Sequence, residues 1–159
     1  MSIIMVGAWT LQLSAFPFYG NLNERALCVG LPFLKGVVMD RKKNAALFVS
    51  VLFHSGTNAH FMHLQTKNYS EHKALQKYYE NVIDIVDRWA EAYQGCYEII
   101  DTYPADFHIA KAPLKYIESV SEFVQSIRKV LPQESQLQNI IDELCELIDS
   151  TLYRLRNLK

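Results

Sequence analysis

Imidazole and carboxylate side chains are concentrated in one stretch of the sequence. Four of the five histidines fall between residues 54 and 72, and a series of acidic residues overlaps and follows them. The residues concerned are His54, His60, His63, His72, Glu71, Glu80, Asp84, Asp87 and Glu91. Imidazole together with carboxylate is a ligand set for iron, manganese or zinc. The same residues are also typical of a long helix in water, so their spacing has to decide between a metal site and a solvated surface.

Two helices position these residues. Residues 40–65 contain no proline and carry apolar side chains at steps of three and four, which predicts a helix. A second helix is predicted to begin at Asn68, because this N-cap acceptor is followed three residues later by Glu71, a capping-box pattern. It is predicted to end at Gly95, a residue typical of the position just beyond a helix.

The rest of the chain predicts two more helices after a long connection. The connection covers 96–112, with room for one short helical turn at 97–101. The third helix begins after Pro113, which suits a first turn, and ends before Pro132; the fourth covers about 133–158. No strand pattern occurs. The predicted fold is all-α, a ferritin-like four-helix bundle with one long crossover between helices two and three.

The junction between the first two predicted helices resembles that of the Dps-like miniferritins, the family that protects DNA during starvation. In that family a His followed by an aromatic residue ends helix one, as at His60-Phe61 here. An Asn-aromatic pair, here Asn68-Tyr69, opens helix two, and a second His, here His72, lies twelve residues after the first. The strings HLQTK, HKAL and AEAYQG are also similar to sequences of Dps-like proteins from tailed phages.

The resemblance implies a set of metal ligands. The family places Asp, Asp and Glu at sixteen, twenty-seven and thirty-one residues after the first His, and this chain has Gln76, Asp87 and Glu91 there. The implied ligands are therefore His60, His72, Asp87 and Glu91, with Gln76 as a weak one. Because Gln76 is neutral, it removes one anionic ligand, and we expect one tightly held metal per site.

The spacing of these ligands requires a second copy of the chain. His72 and Asp87 are fifteen residues apart on one helix, about 22 Å along its axis, so they cannot bind one ion within one chain. Asp87 and Glu91 are one turn apart and face the same way. Two antiparallel second helices about a two-fold axis would bring the two pairs together. The sequence therefore predicts a homo-oligomer with a two-fold dimer interface. His63 is an alternative to His60, although its nine-residue step to His72 does not fit the pattern.

Two functions follow as hypotheses. The resemblance implies a cytoplasmic Dps-like iron-binding protein with ferroxidase activity, in which peroxide or oxygen oxidises Fe(II) and a hollow oligomer stores it. Iron is the expected cofactor, with manganese and zinc as alternatives, and no catalytic residue is assigned apart from the ligands. The second hypothesis is a non-catalytic ferritin-fold scaffold or interaction protein, encoded by a phage, in the cytoplasm of a bacterial or phage-infected cell.

The net charge argues against a nucleic-acid partner, and the cysteine spacing argues against a zinc knuckle or a disulfide framework. The formal net charge is −1, whereas nucleic-acid-binding proteins usually have a strong basic excess, so we expect weak or no DNA binding. The residues Cys28, Cys96 and Cys145 form no CxxC pair, which predicts three reduced thiols rather than a zinc knuckle or a disulfide framework.

Residues 1–38 differ from the rest of the chain, since Glu24, Arg25 and Lys35 are their only charged residues. Four interpretations stay open: a loosely docked extension, translation from a start codon upstream of a natural start at Met39, a membrane-associated segment and a signal peptide. The last two lack a basic n-region and an uninterrupted apolar run, so membrane binding is not expected. The predicted organisation is an apolar extension over 1–38 and a bundle over 39–159.

Overall fold

The computed structural model describes residues 40–105 and 107–158. Within these residues the chain forms four helices and no strand, so the prediction of an all-helical bundle is confirmed. The helices are α1 (Arg41–Gln65), α2 (Tyr69–Cys96), α3 (Pro113–Ile127) and α4 (Ser135–Asn157). None of these helices is long and apolar enough to cross a membrane. The predictions for residues 1–38 lie outside the described part of the chain.

The start of α2 is capped as the sequence predicts. The side-chain oxygen of Asn68 accepts hydrogen bonds from the backbone N–H groups of Ser70 and Glu71, at 2.9 and 3.1 Å. The N–H of Asn68 donates to the hydroxyl of Thr66 at 3.1 Å, so Thr66 supplies the half of the capping box that was expected from Glu71. These three hydrogen bonds fix the angle at which the chain leaves α1 and enters α2.

One predicted helix end is wrong. The helix α2 continues through Gly95 to Cys96, because the i to i+4 ladder runs on and the N–H of Tyr97 donates to the carbonyl of Tyr93. The segment over 97–101, which had room for one helical turn, forms none; the side chain of Gln94 accepts instead from the N–H of the buried Ile100 at 3.0 Å. The helix α3 ends at Ile127, before Pro132 as predicted, and a turn follows over 128–130.

Contacts between helix ends establish the direction of each helix. At one end of the bundle the Ser70 hydroxyl donates to the carbonyl of Leu158 at 2.8 Å, and at the other the Gln136 amide lies 3.5 Å from the sulfur of Cys96. The start of α2 therefore meets the end of α4, and the end of α2 meets the start of α4. These two helices are antiparallel.

The remaining neighbours are antiparallel as well. Arg156 near the end of α4 pairs with Glu118 near the start of α3 at 2.8 Å. The Asn58 amide, in the second half of α1, donates to the Tyr116 hydroxyl near the start of α3 at 3.0 Å. Together with the short junction between α1 and α2, these contacts place the helices around the core in the order α1, α2, α4, α3.

The connection between α2 and α3 returns along α1. Its contacts advance with α1: Lys42 pairs with Asp101 at 2.8 Å, Ser50 donates to the carbonyl of residue 104 at 3.2 Å, and Asn58 accepts from the N–H of residue 110 at 2.8 Å. From Lys42 to Asn58 this path covers about 24 Å of helix. Two antiparallel hairpins are therefore joined by one long crossover.

The core is apolar with a polar layer near its middle. Phe48 of α1 packs edge-on against Trp89 of α2, with ring centroids 4.5 Å apart. In the polar layer the hydroxyls of Ser55 and Tyr78 lie 2.7 Å apart, and burial raises the pKa of Tyr78 well above its ordinary value. Burial raises the pKa of Tyr116 to about 12. These phenols are therefore neutral groups that are paired for packing.

Candidate functional site

Two histidines close the junction between α1 and α2. The Nδ1 atom of His63 lies 2.9 Å from the carbonyl oxygen of His72, and the Nδ1 atom of His72 lies 3.1 Å from the carbonyl oxygen of His63. The two rings are stacked, with centroids 3.7 Å apart. Since a carbonyl only accepts, each Nδ1 has to carry the proton. Each Nε2 then keeps a lone pair when the ring is neutral.

His60 and Tyr79 extend this pair into a cluster. The ring of the exposed His60 stacks on that of Tyr79, with centroids 4.1 Å apart, and lies 5.9 Å from the ring of His63. Tyr79 also meets His63 edge-on at 5.2 Å. We call His60, His63, His72 and Tyr79 the histidine cluster. Three imidazoles and a phenol thus lie side by side where α1 and α2 turn back on each other.

The helix ends explain why this arrangement forms. The last carbonyls of α1 have no partner within the helix, and that of His63 is one of them. His72 lies one turn beyond the N-cap Asn68, at the level of the last turn of α1, so its ring reaches the His63 carbonyl. In return the nearly buried His63, which is 7% exposed, donates to the carbonyl of His72. The pair therefore fastens the two helices through backbone acceptors.

The predicted acidic ligands lie elsewhere. Asp87 and Glu91 are on the exposed outer side of α2, and within the described residues neither forms a hydrogen bond or an ion pair. Gln76 accepts a hydrogen bond from Lys73 at 2.9 Å and donates to Glu80 at 2.7 Å, both on its own helix. Among residues 40–105 and 107–158, no three His, Cys, Asp or Glu side chains come together as a metal site. A site shared between two chains stays a prediction.

The partner of His72 is His63, which the sequence offered only as an alternative to His60. His63 was only an alternative to His60, because its nine-residue step to His72 did not match the family pattern. In the structure His63 is the direct partner of His72. A usable signal was present, since His63 and His72 flank the connection over 66–68 at nearly equal distances. Such residues face each other when two helices form a tight antiparallel hairpin.

The other reactive side chains have ordinary surroundings. The half-buried His54 meets Phe107 edge-on at 5.0 Å, and burial lowers its pKa. Cys96 and Cys145 are free thiols, and burial raises the pKa of Cys145, so it is a poor nucleophile. Cys28 lies outside the described residues.

Comparisons with known proteins find a family of unknown function and an uncharacterized protein of a phage. The model of a family of unknown function (DUF5856) matches residues 63–155, from the last turn of α1 to the end of α4. An uncharacterized 14.6 kDa protein in the mobD-ri intergenic region of Enterobacteria phage T4 is 26% identical over 111 residues, which are 68% of this chain and 84% of that protein. No solved structure matches the chain. These matches give no support to the resemblance to Dps-like miniferritins.

Proposed function

We propose that this chain, which belongs to the family of unknown function DUF5856, is a non-catalytic helical scaffold of a phage that acts by binding a protein surface. The observation that carries the proposal is the reciprocal bonding of His63 and His72. Two of the histidines that suggested a metal site, His63 and His72, are held by backbone carbonyls and join two helices. Their proposed role is to hold the scaffold together.

The burial of His63 and the hydrogen bonds of His63 and His72 support this assignment. A histidine that transfers a proton to a substrate has to reach it, and His63 is 7% exposed. The Nδ1 atoms of His63 and His72 are already engaged, and each such hydrogen bond stabilises the fold by about 1 kcal/mol. In the core, Tyr78 and Tyr116 are likewise paired with neighbouring side chains. These polar groups are therefore used to fix the packing.

The order of the helices and the crossover along α1 support the ferritin-like bundle that the sequence predicted. We place the protein in the cytoplasm of an infected bacterial cell, a proposal that rests on the similarity to a protein of phage T4.

Metal removal tests the proposal. We expect protein stripped with a chelator to keep its helical circular dichroism and its melting temperature, because the helix junction is closed by hydrogen bonds alone. We also expect no oxidation of Fe(II) above that of buffer. Stoichiometric metal that both raises the melting temperature and is oxidised by peroxide or oxygen would overturn the proposal.

A shared metal centre is the second candidate, and two observations favour it. Asp87 and Glu91 are exposed and unpaired among the described residues. The Nδ1–H of His72 is held by a carbonyl, as in many metal-binding histidines, and this leaves its Nε2 as a donor. The residues of one chain do not fit a metal, since about 22 Å separates His72 from Asp87. The centre would need a second copy, and the neutral Gln76 would limit it to one ion.

Anaerobic titration with Fe(II) tests this second candidate. One ion per site is expected, Glu91→Ala should abolish binding, and Gln76→Asp should add a second ion and speed oxidation. The matched control is Glu122→Ala, on the exposed side of α3. Equal binding by wild type, Glu91→Ala and the control would exclude this centre.

A further inference from the structure

The exposed side of α2 has two halves of opposite charge. The first half carries lysines and the second half carries carboxylates, with an exposed isoleucine between them. We call this surface the α2 outer face, and its residues are Tyr69, Lys73, Lys77, Glu80, Ile83, Asp84, Asp87, Glu91 and Gly95. The face lies between the side of α2 that packs on α1, where Ile83 meets Gly56, and the side that packs on α4, where Arg88 pairs with Glu143.

The opposite charges are placed symmetrically about one point of the helix. Lys73 and Glu91 are each nine residues from position 82, and Lys77 and Asp87 are each five residues from it. If two copies of α2 lie antiparallel about a two-fold axis at this level, each lysine faces a carboxylate of the other copy. Both pairs then form twice, which gives four ion pairs between the chains.

We propose that the α2 outer face binds a second copy of this chain in this antiparallel arrangement. The inference deepens the proposed scaffold function and rests on it, because it names the protein surface that the scaffold binds. The partner is a second copy because the charge pattern is complementary to itself. A partner surface of uniform charge would be attracted by one half of the face and repelled by the other. The phosphates of a nucleic acid would be repelled by the carboxylates of Asp87 and Glu91.

The apolar residues of the face fit the same arrangement. Ile83, which is 43% exposed, lies at the level of the axis, one residue from position 82, on the side of the face nearer α1. Tyr69, which is 75% exposed, is thirteen residues from position 82, and so is Gly95. Apart from its chain neighbours and the backbone of its own helix, no atom lies within 4 Å of the position that a Cβ of Gly95 would occupy, so its surface is open to an aromatic ring. Each end of the dimer would thus place Tyr69 of one copy over Gly95 of the other.

Two acidic residues oppose the pairing, and one of them is partly neutralised. Glu80 and Asp84 are each two residues from position 82, so the copies bring these carboxylates near each other. Glu80 accepts a hydrogen bond from Gln76 at 2.7 Å, and Asp84 pairs with Arg88 at 3.4 Å. The four lysine–carboxylate pairs outnumber this repulsion. The balance predicts a dimer that weakens as salt is added.

Charge reversal tests the proposal by analytical ultracentrifugation, with a chelator present so that no metal contributes. The variants are Lys73→Glu/Lys77→Glu and Asp87→Lys/Glu91→Lys. Each should weaken self-association by about tenfold or more, since like charges then face each other. In an equimolar mixture, the negatively charged face of Lys73→Glu/Lys77→Glu should bind the positively charged face of Asp87→Lys/Glu91→Lys. A chain with all four changes should recover the wild-type dimer, because each charged pair is then restored with its signs exchanged.

The control reverses two exposed lysines elsewhere, Lys111→Glu/Lys115→Glu, and should leave association unchanged. Wild type that stays monomeric at about 100 µM in low salt, where a dimer of ordinary affinity would form, overturns the inference. So does a dimer that both charge variants leave intact, because it must use another face. Neither result affects the scaffold role of the histidine cluster, which the metal-removal experiment tests separately.

Discussion

Replacing His72 by alanine should destabilise the bundle even when no metal is present. The change removes the hydrogen bond from Nδ1 to the carbonyl of His63, at 3.1 Å, which is worth about 1 kcal/mol. It also removes the ring stacked 3.7 Å from that of His63, a contact worth roughly 0.5–1.5 kcal/mol. The free energy of unfolding should fall by about 2 kcal/mol, which lowers the melting temperature of a domain of this size by about 8 °C.

Two further variants separate the hydrogen bond from the ring. His72→Asn keeps an N–H donor near the position of Nδ1, so it should recover about half of the loss. His60→Ala removes an exposed ring that stacks on Tyr79, and it should cost less than about 1 kcal/mol. The measurement is the melting temperature of the wild type and of each variant, with a chelator present. The reasoning is refuted if His72→Ala melts within about 1 °C of wild type, or if chelator alone lowers the wild type to the level of the variant.

Three other outcomes follow from the structure. His54→Phe should flatten the pH dependence of stability in urea titrations: burial lowers the pKa of His54, so its contribution is present above about pH 6.5 and is lost as the pH falls through the folded pKa. Gly56→Val should cost about 1–3 kcal/mol, because a Cβ would lie 3.0 Å from side-chain atoms of Ile83 and Val82, whereas Gly95→Ala should gain about 0.5–1 kcal/mol in chemical denaturation. Duplex DNA should bind at most weakly in fluorescence anisotropy. A dissociation constant below about 1 µM that persists in about 200 mM salt would contradict the charge argument.

Local signals in the sequence were sufficient for most of the fold. The periodicity of residues 40–65 predicted α1 to within one residue, and the side chain of Asn68 caps α2 as expected. Gly95 was misjudged because glycine is common just beyond helices but is also tolerated inside them. What extends α2 is the N–H of Tyr97, which continues the ladder to the buried Tyr93. That interaction depends on packing with α1, which no local signal contains.

The candidate site was less predictable for a related reason. The spacing along α2 correctly separated His72 from Asp87, because helix rise alone fixes that distance. The partner of His72 depended on the tightness of the connection at 66–68 and on the direction of two imidazole rings. The family pattern favoured His60, whereas the helix end offered the carbonyl of His63 as an acceptor. The near-equal spacing of His63 and His72 about the connection indicates that they face each other, but the acceptor role of the His63 carbonyl follows from the helix end and not from spacing.

The protonation of His63 and His72 tests the central claim most directly. Long-range nitrogen–proton NMR spectra at about pH 8, where histidine is ordinarily neutral, report which ring nitrogen carries the proton. Our account predicts the Nδ1–H form for both rings, unchanged when one equivalent of Fe(II), Mn(II) or Zn(II) is added. A proton on Nε2 of either ring, or ring signals that move or broaden with stoichiometric metal, would contradict the claim that these histidines serve only to join α1 to α2.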